Sequence, residues 1–152
     1  LFLPSQAMSS TVRSVFGGGY VSSGSDVLDY ITVASTGNAT DFGNLTVARY
    51  YGCCVNSTTR GILANGTQSG ADTTIDYITI GTTGNATDFG DTTDDEALAR
   101  CAVHSSTTAY LRGGVDQITM ATAANATSSG YAAFFTTSNR DAVMPGWLAY
   151  NG

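Results

Sequence analysis

Asp76-Tyr77-Ile78-Thr79-Ile80-Gly81-Thr82-Thr83-Gly84-Asn85-Ala86-Thr87-Asp88-Phe89-Gly90 decides the fold, because the chain says it more than once. Asp29-Tyr30-Ile31-Thr32-Val33 and Thr36-Gly37-Asn38-Ala39-Thr40-Asp41-Phe42-Gly43 stand 47 residues upstream. A decayed copy, Asp116-Gln117-Ile118-Thr119-Met120 followed by Asn125-Ala126-Thr127, stands 40 residues downstream. The flanks repeat as well. Val12-Arg13-Ser14-Val15-Phe16-Gly17 matches Thr59-Arg60-Gly61-Ile62-Leu63-Ala64, and the third version, near Thr108-Ala109-Tyr110-Leu111, has lost the arginine. Cys53-Cys54-Val55-Asn56-Ser57 matches Cys101-Ala102-Val103-His104-Ser105. Self-similarity at a fixed period of this size marks a repeat architecture, in which each unit buries its apolar face only by stacking on a neighbour.

One unit reads as four short strands. In the second unit they are expected around Tyr50 to Val55, from Arg60 to Ala64, from Thr74 to Thr82, and around Thr87 to Thr92. The third is apolar at Ile75, Tyr77 and Ile80, with Tyr77 facing opposite Ile78. Thr, Val, Ile and aromatic residues suit a pleated, half-buried surface. Gly17-Gly18-Gly19, Ser22-Ser23-Gly24-Ser25 and Thr36-Gly37-Asn38 supply the punctuation between strands. Gly is abundant at 18 residues and Pro scarce at 2, so strand N–H groups are free to pair. The expectation is one all-β repeat domain of three units, approximately 1–49, 50–100 and 101–152. Four strands per period of about 40–50 residues favours propeller blades. Rings have about 4–8 blades, so three units form an incomplete ring to be closed by an oligomer or a partner.

Charged residues are only 12% of the chain and the net charge is −6. That balance lacks the clustered Lys and Arg of a nucleic-acid footprint and any attraction to anionic lipid. No apolar run reaches the ~18–20 residues that cross a bilayer as a helix. Leu1-Phe2-Leu3-Pro4 has no basic flank and does not read as an intact signal peptide. A start at Leu1 points to a processed product or a piece of something longer.

The unit resembles a kelch repeat: a hydrophobic strand ending in glycines, a second strand and turn, a bulky aromatic, then an arginine. The glycines are Gly17-Gly18-Gly19 and Gly113-Gly114, replaced by Ala64-Asn65 in the second unit. The aromatic position carries Phe42 and Phe89 instead of the family's tryptophan, and the tyrosine before the turn is replaced by Ala34 and Gly81. The arginines are Arg49, Arg100 and Arg140, following Ala48, Ala99 and Asn139. The phrase from Asp76 to Asp91 is also similar to repeats of virion structural proteins of tailed phages, which are tail-fibre or virion-surface components. That resemblance runs from about Thr11 to Arg100 and fades in the third unit. It implies a kelch-like β-propeller blade, a structural role in a virion with host attachment as a further role, and partners that are other copies or other virion proteins. A host-surface glycan is a candidate ligand. The alternative is a secreted or cell-surface carbohydrate-binding or adhesion module, extracellular in place of virion-borne.

Other motifs read as structure. The Asn-x-Thr/Ser tripeptides begin at Asn38, Asn44, Asn56, Asn65, Asn85 and Asn125; they are glycan acceptors in a eukaryotic secreted protein, but the repeat position favours turn chemistry. Cys53, Cys54 and Cys101 read as small buried hydrophobes. Lone His104 reads as a loop residue, since a zinc or copper site needs more ligands than the chain offers. Asp91, Asp94, Asp95 and Glu96 do not follow a calcium-loop spacing. An oxidase of the kelch-bearing type needs metal-binding His and Tyr residues that this chain does not assemble. No catalytic, cofactor-binding or metal residue is therefore expected. Phe42 and Phe89 should be buried at equivalent places between sheets, and Arg49, Arg100 and Arg140 should bond carbonyls of the adjacent unit. Beyond Ala142 the repeat ends, and Trp147, or the Leu1-Phe2-Leu3 segment, is the candidate assembly contact.

Overall fold

The computed structural model describes residues 6–67, 72–96, 102–111 and 115–131. Among them the regular structure is strand throughout, arranged as three four-stranded sheets. The first sheet contains β1 (Gln6–Ser9), β2 (Arg13–Gly17), β3 (Ser25–Thr32) and β4 (Thr40–Arg49). The second contains β5 (Cys53–Asn56), β6 (Arg60–Ala64), β7 (Asp72–Thr79) and β8 (Thr87–Glu96). The third contains β9 (Val103–His104), β10 (Thr108–Leu111), β11 (Asp116–Thr119) and β12 (Thr127–Ser128). Each is an antiparallel meander whose strands lie side by side in chain order. A far-UV circular dichroism spectrum of the whole chain should be a β spectrum; a dominant helical signal would contradict this architecture.

The same local chemistry closes equivalent turns in all three sheets. The hydroxyl of Ser10 accepts the N–H groups of Val12 and Arg13, that of Ser57 those of Thr59 and Arg60, and that of Ser105 those of Thr107 and Thr108. A serine at the start of a tight turn mimics a backbone acceptor and fixes where the next strand begins. The pairing of β3 with β4 slips at Ser25/Val27 and Leu28/Asp29, and that of β7 with β8 slips at the matching Asp72/Thr74 and Ile75/Asp76. A repeated irregularity of this kind bends the fourth strand at the same point in each unit.

The sheets stack face to face and enclose two cores. Met8, Val15, Leu28, Phe42 and Leu45 of the first sheet meet Leu63, Ile78 and Ile80 of the second. Cys53, Val55, Ile62, Ala64, Ile75 and Phe89 of the second meet Ala109, Leu111, Ile118, Met120 and Ala126 of the third. The second sheet is thus covered on both faces, which is why Gly61-Ile62-Leu63-Ala64 is buried without a break. Ile80 packs on the side of Ile78, towards the first sheet, whereas Ile75 and Tyr77 face the third. β5 begins at Cys53, later than the sequence suggests. Tyr50 bridges Thr67 and Tyr51 adopts φ 63°, so these residues carry the chain from one sheet to the next.

Candidate assembly seam

The repeated phrase performs one job at both boundaries: it receives the preceding sheet. At the first boundary the Gly84 and Ala86 N–H groups donate to the carbonyls of Phe42 and Asn44, at 2.7 Å each. The Asn85 side-chain oxygen accepts the Asn44 N–H at 3.1 Å. At the second, the Ala126 N–H donates to the Asp91 carbonyl at 2.8 Å, and Asn125 Oδ1 accepts the Asp91 N–H at 3.1 Å. The Gly-Asn-Ala-Thr turn of one unit is a clasp on the fourth strand of the unit before it. Turn chemistry alone does not describe Asn85 or Asn125. Replacing either with Ala should cost about 1 kcal/mol, measurable by urea denaturation.

The acid that opens the phrase is the second contact. Asp76, 1% exposed, accepts the Thr46 hydroxyl at 2.6 Å and the Thr46 N–H at 3.1 Å. Asp116, 0% exposed, takes the Thr93 hydroxyl at 2.6 Å and the Thr93 N–H at 3.1 Å. A buried carboxylate is costly unless its oxygens are met by donors, and the preceding sheet brings them. At the first seam Arg49 adds its charge: it pairs with Asp76, gives Nη1 to the Thr74 carbonyl at 2.7 Å, and lies 3.8 Å from Asp72.

A third contact comes from the second strand. Arg13 Nη1 donates to the Ile80 carbonyl at 3.2 Å and Arg60 Nη1 to the Met120 carbonyl at 2.9 Å. Each guanidinium lies over a tyrosine of its own sheet, at 4.1 Å from the Tyr30 ring centre and 4.3 Å from that of Tyr77. Those tyrosines meet Phe42 and Phe89 edge to face. The planar cation is held by an aromatic face and aimed by it.

Close approach demands glycine where the clasp lies on the strand. A Cβ on Gly43 would sit 2.4 Å from the Gly84 carbonyl oxygen, and one on Gly90 2.6 Å from the Ala124 carbonyl carbon. Both have φ values that side chains avoid, +144° and +139°. Gly43→Ala should therefore cost about 1–3 kcal/mol and loosen the first seam. Gly37→Ala should cost less, since nothing lies within 4 Å of a Cβ there and only the strain of its φ of +159° remains. Thermal melts of the two variants would separate steric blockage of the seam from loss of a turn glycine.

Phe42 and Phe89 are buried at 2% and 3% exposure in the first and second core, at matched places in their sheets. Arg49 is buried and bonds the next sheet. The backbone register sets Glu96 level with Arg49, opposite Asp72 and Ser25 respectively. Arg100, Arg140 and Trp147 lie outside the described residues, as do Leu1-Phe2-Leu3 and Cys101. Cys53 is buried in the second core and Cys54 packs on the first. Burial, and next to it Cys53, push the Cys54 thiol well above its ordinary range, against a lowering effect of Arg49. His104 is exposed and its ring Nδ1 bonds the Ser105 carbonyl. Sequence reading passed over Asp76, Asp116, Thr46, Thr93, Gly43 and Gly90. The signal was an acid retained at one position of an apolar strand in all three copies.

Fold and seams together define an all-β protein of stacked, repeated sheets. No protein-family model matches the chain, and no curated protein matches it.

Proposed function

We propose that this chain is a virion structural protein, a tail-fibre or virion-surface component of a tailed phage, whose surfaces do its work. In this reading the three sheets are kelch-like propeller blades in an incomplete ring, completed by other copies or by other virion proteins. The supporting observation is the duplicated seam. The same Asp, Asn and Arg contacts join sheet one to two and sheet two to three, so sequence identity across the repeats is spent on stacking. The resemblance of the repeated phrase to tailed-phage virion repeats supplies the setting, and attachment to a host-surface glycan is the further role it carries.

The test is composition of the particle. Mass spectrometry of virions purified from infected cultures should find peptides of this chain at a fixed copy number relative to the capsid protein. Its absence from particles, with recovery in the secreted or cell-surface fraction, would overturn the assignment in favour of an adhesion module.

A further inference from the structure

The outer face of the first sheet carries the receiving set, and among the described residues nothing is seated on it. Asp29, Ile31, Val33, Asn38 and Ala39 hold the places that Asp76, Ile78, Ile80, Asn85 and Ala86 hold in the second sheet. In the second and third sheets these places are covered: Ile80 is 0% exposed and Met120 1%, whereas Val33 is 56% exposed. Ile78 and Ile118 are each 3% exposed, against 37% for Ile31. Among the described residues Asp29 is half-buried and its carboxylate makes no hydrogen bond or ion pair, and Asn38 and Ala39 are exposed.

We infer that this face docks another unit of the same repeat, one that presents an arginine on its second strand and Phe-Gly-Asn/Asp-x-Thr on its fourth. This deepens the stacking reading and rests on it. Chemistry names the occupant. The carboxylate of Asp29 fits a Thr at the place of Thr46, the Val33 carbonyl fits an arginine at the place of Arg13, and the Asn38 oxygen fits the N–H after the strand glycine. The third sheet of a second copy does not offer this set. It has Thr108 where Arg13 and Arg60 stand, Gln117 for Tyr30 and Tyr77, and Ser129 for Phe42 and Phe89. The third unit keeps the receiving residues and has replaced these presenting ones, so the stack has a polarity, open to its own kind at the first sheet.

The test joins an additional copy of residues 50–100 ahead of the full chain and compares it with the chain itself. Amide exchange should slow by about tenfold or more across residues 29–39, and the melting temperature should rise. Asp29→Ala should remove that gain in the four-unit chain while leaving the melt of the three-unit chain unchanged. Unchanged exchange at 29–39, or an added unit with no protected amides of its own, would overturn the proposal. So would concentration-dependent dimerisation of the unmodified chain that Asp29→Ala abolishes, since the occupant would then be a second copy. None of these outcomes depends on whether virions contain the chain, so the docking and virion assignments fail separately.

Discussion

Asp76→Ala should lower the stability of the chain by about 3–5 kcal/mol, read as a fall in the urea midpoint at unchanged slope. The substitution leaves the Arg49 guanidinium, 1% exposed, without the carboxylate it pairs with. It also strips the Thr46 hydroxyl and N–H of their acceptor. Asp72, 3.8 Å from Arg49, remains as a partial counter-charge and holds the loss towards the lower end of that range. The internal control is Asp29→Ala, the same residue in the same Asp-Tyr-Ile-Thr phrase. It should change the three-unit chain by no more than about 0.5 kcal/mol, because among the described residues no other sheet meets its carboxylate. Equal losses at both positions would mean that the acid serves its own strand and not the seam.

Phe42→Ala and Phe89→Ala should each cost about 3–5 kcal/mol. Each ring is buried and sits edge to face against the tyrosine that holds the seam arginine, Tyr30 or Tyr77. Truncation therefore removes core volume and the ring that braces the arginine's tyrosine. The two variants should be distinguishable. Phe42→Ala should speed amide exchange first in the core shared by the first and second sheets, and Phe89→Ala first in that shared by the second and third. Phe→Leu at either place should cost less, as a smaller change in volume. A loss below about 1 kcal/mol for both Ala variants would sink the assignment of these rings to the sheet–sheet cores.

The strands were legible in the sequence because their causes are local. Alternation of apolar residues sets which way side chains face, Ser10, Ser57 and Ser105 mark the turns, and the 47-residue period says that whatever holds for one unit holds for the next. Burial of Phe42 and Phe89 follows from a large apolar side chain recurring on a strand. The seam was not legible in the same way. Thr46 lies 30 residues from Asp76, and Asn44 lies 41 from Asn85. Each contact exists only because two sheets are stacked. The two copies of Asp-Tyr-Ile-Thr make the point most directly. Identical local sequence leaves the Asp29 carboxylate with no partner among the described residues and the Asp76 carboxylate buried on three donating groups. What differs is the presence of a preceding sheet, and no propensity or period encodes that. The sequence by itself determined the strand, its faces and its repetition. Only the tertiary structure decided which copies are covered, and so which carboxylate is a buried anchor and which stands open, because burial is a property of what packs against a residue and not of the residue.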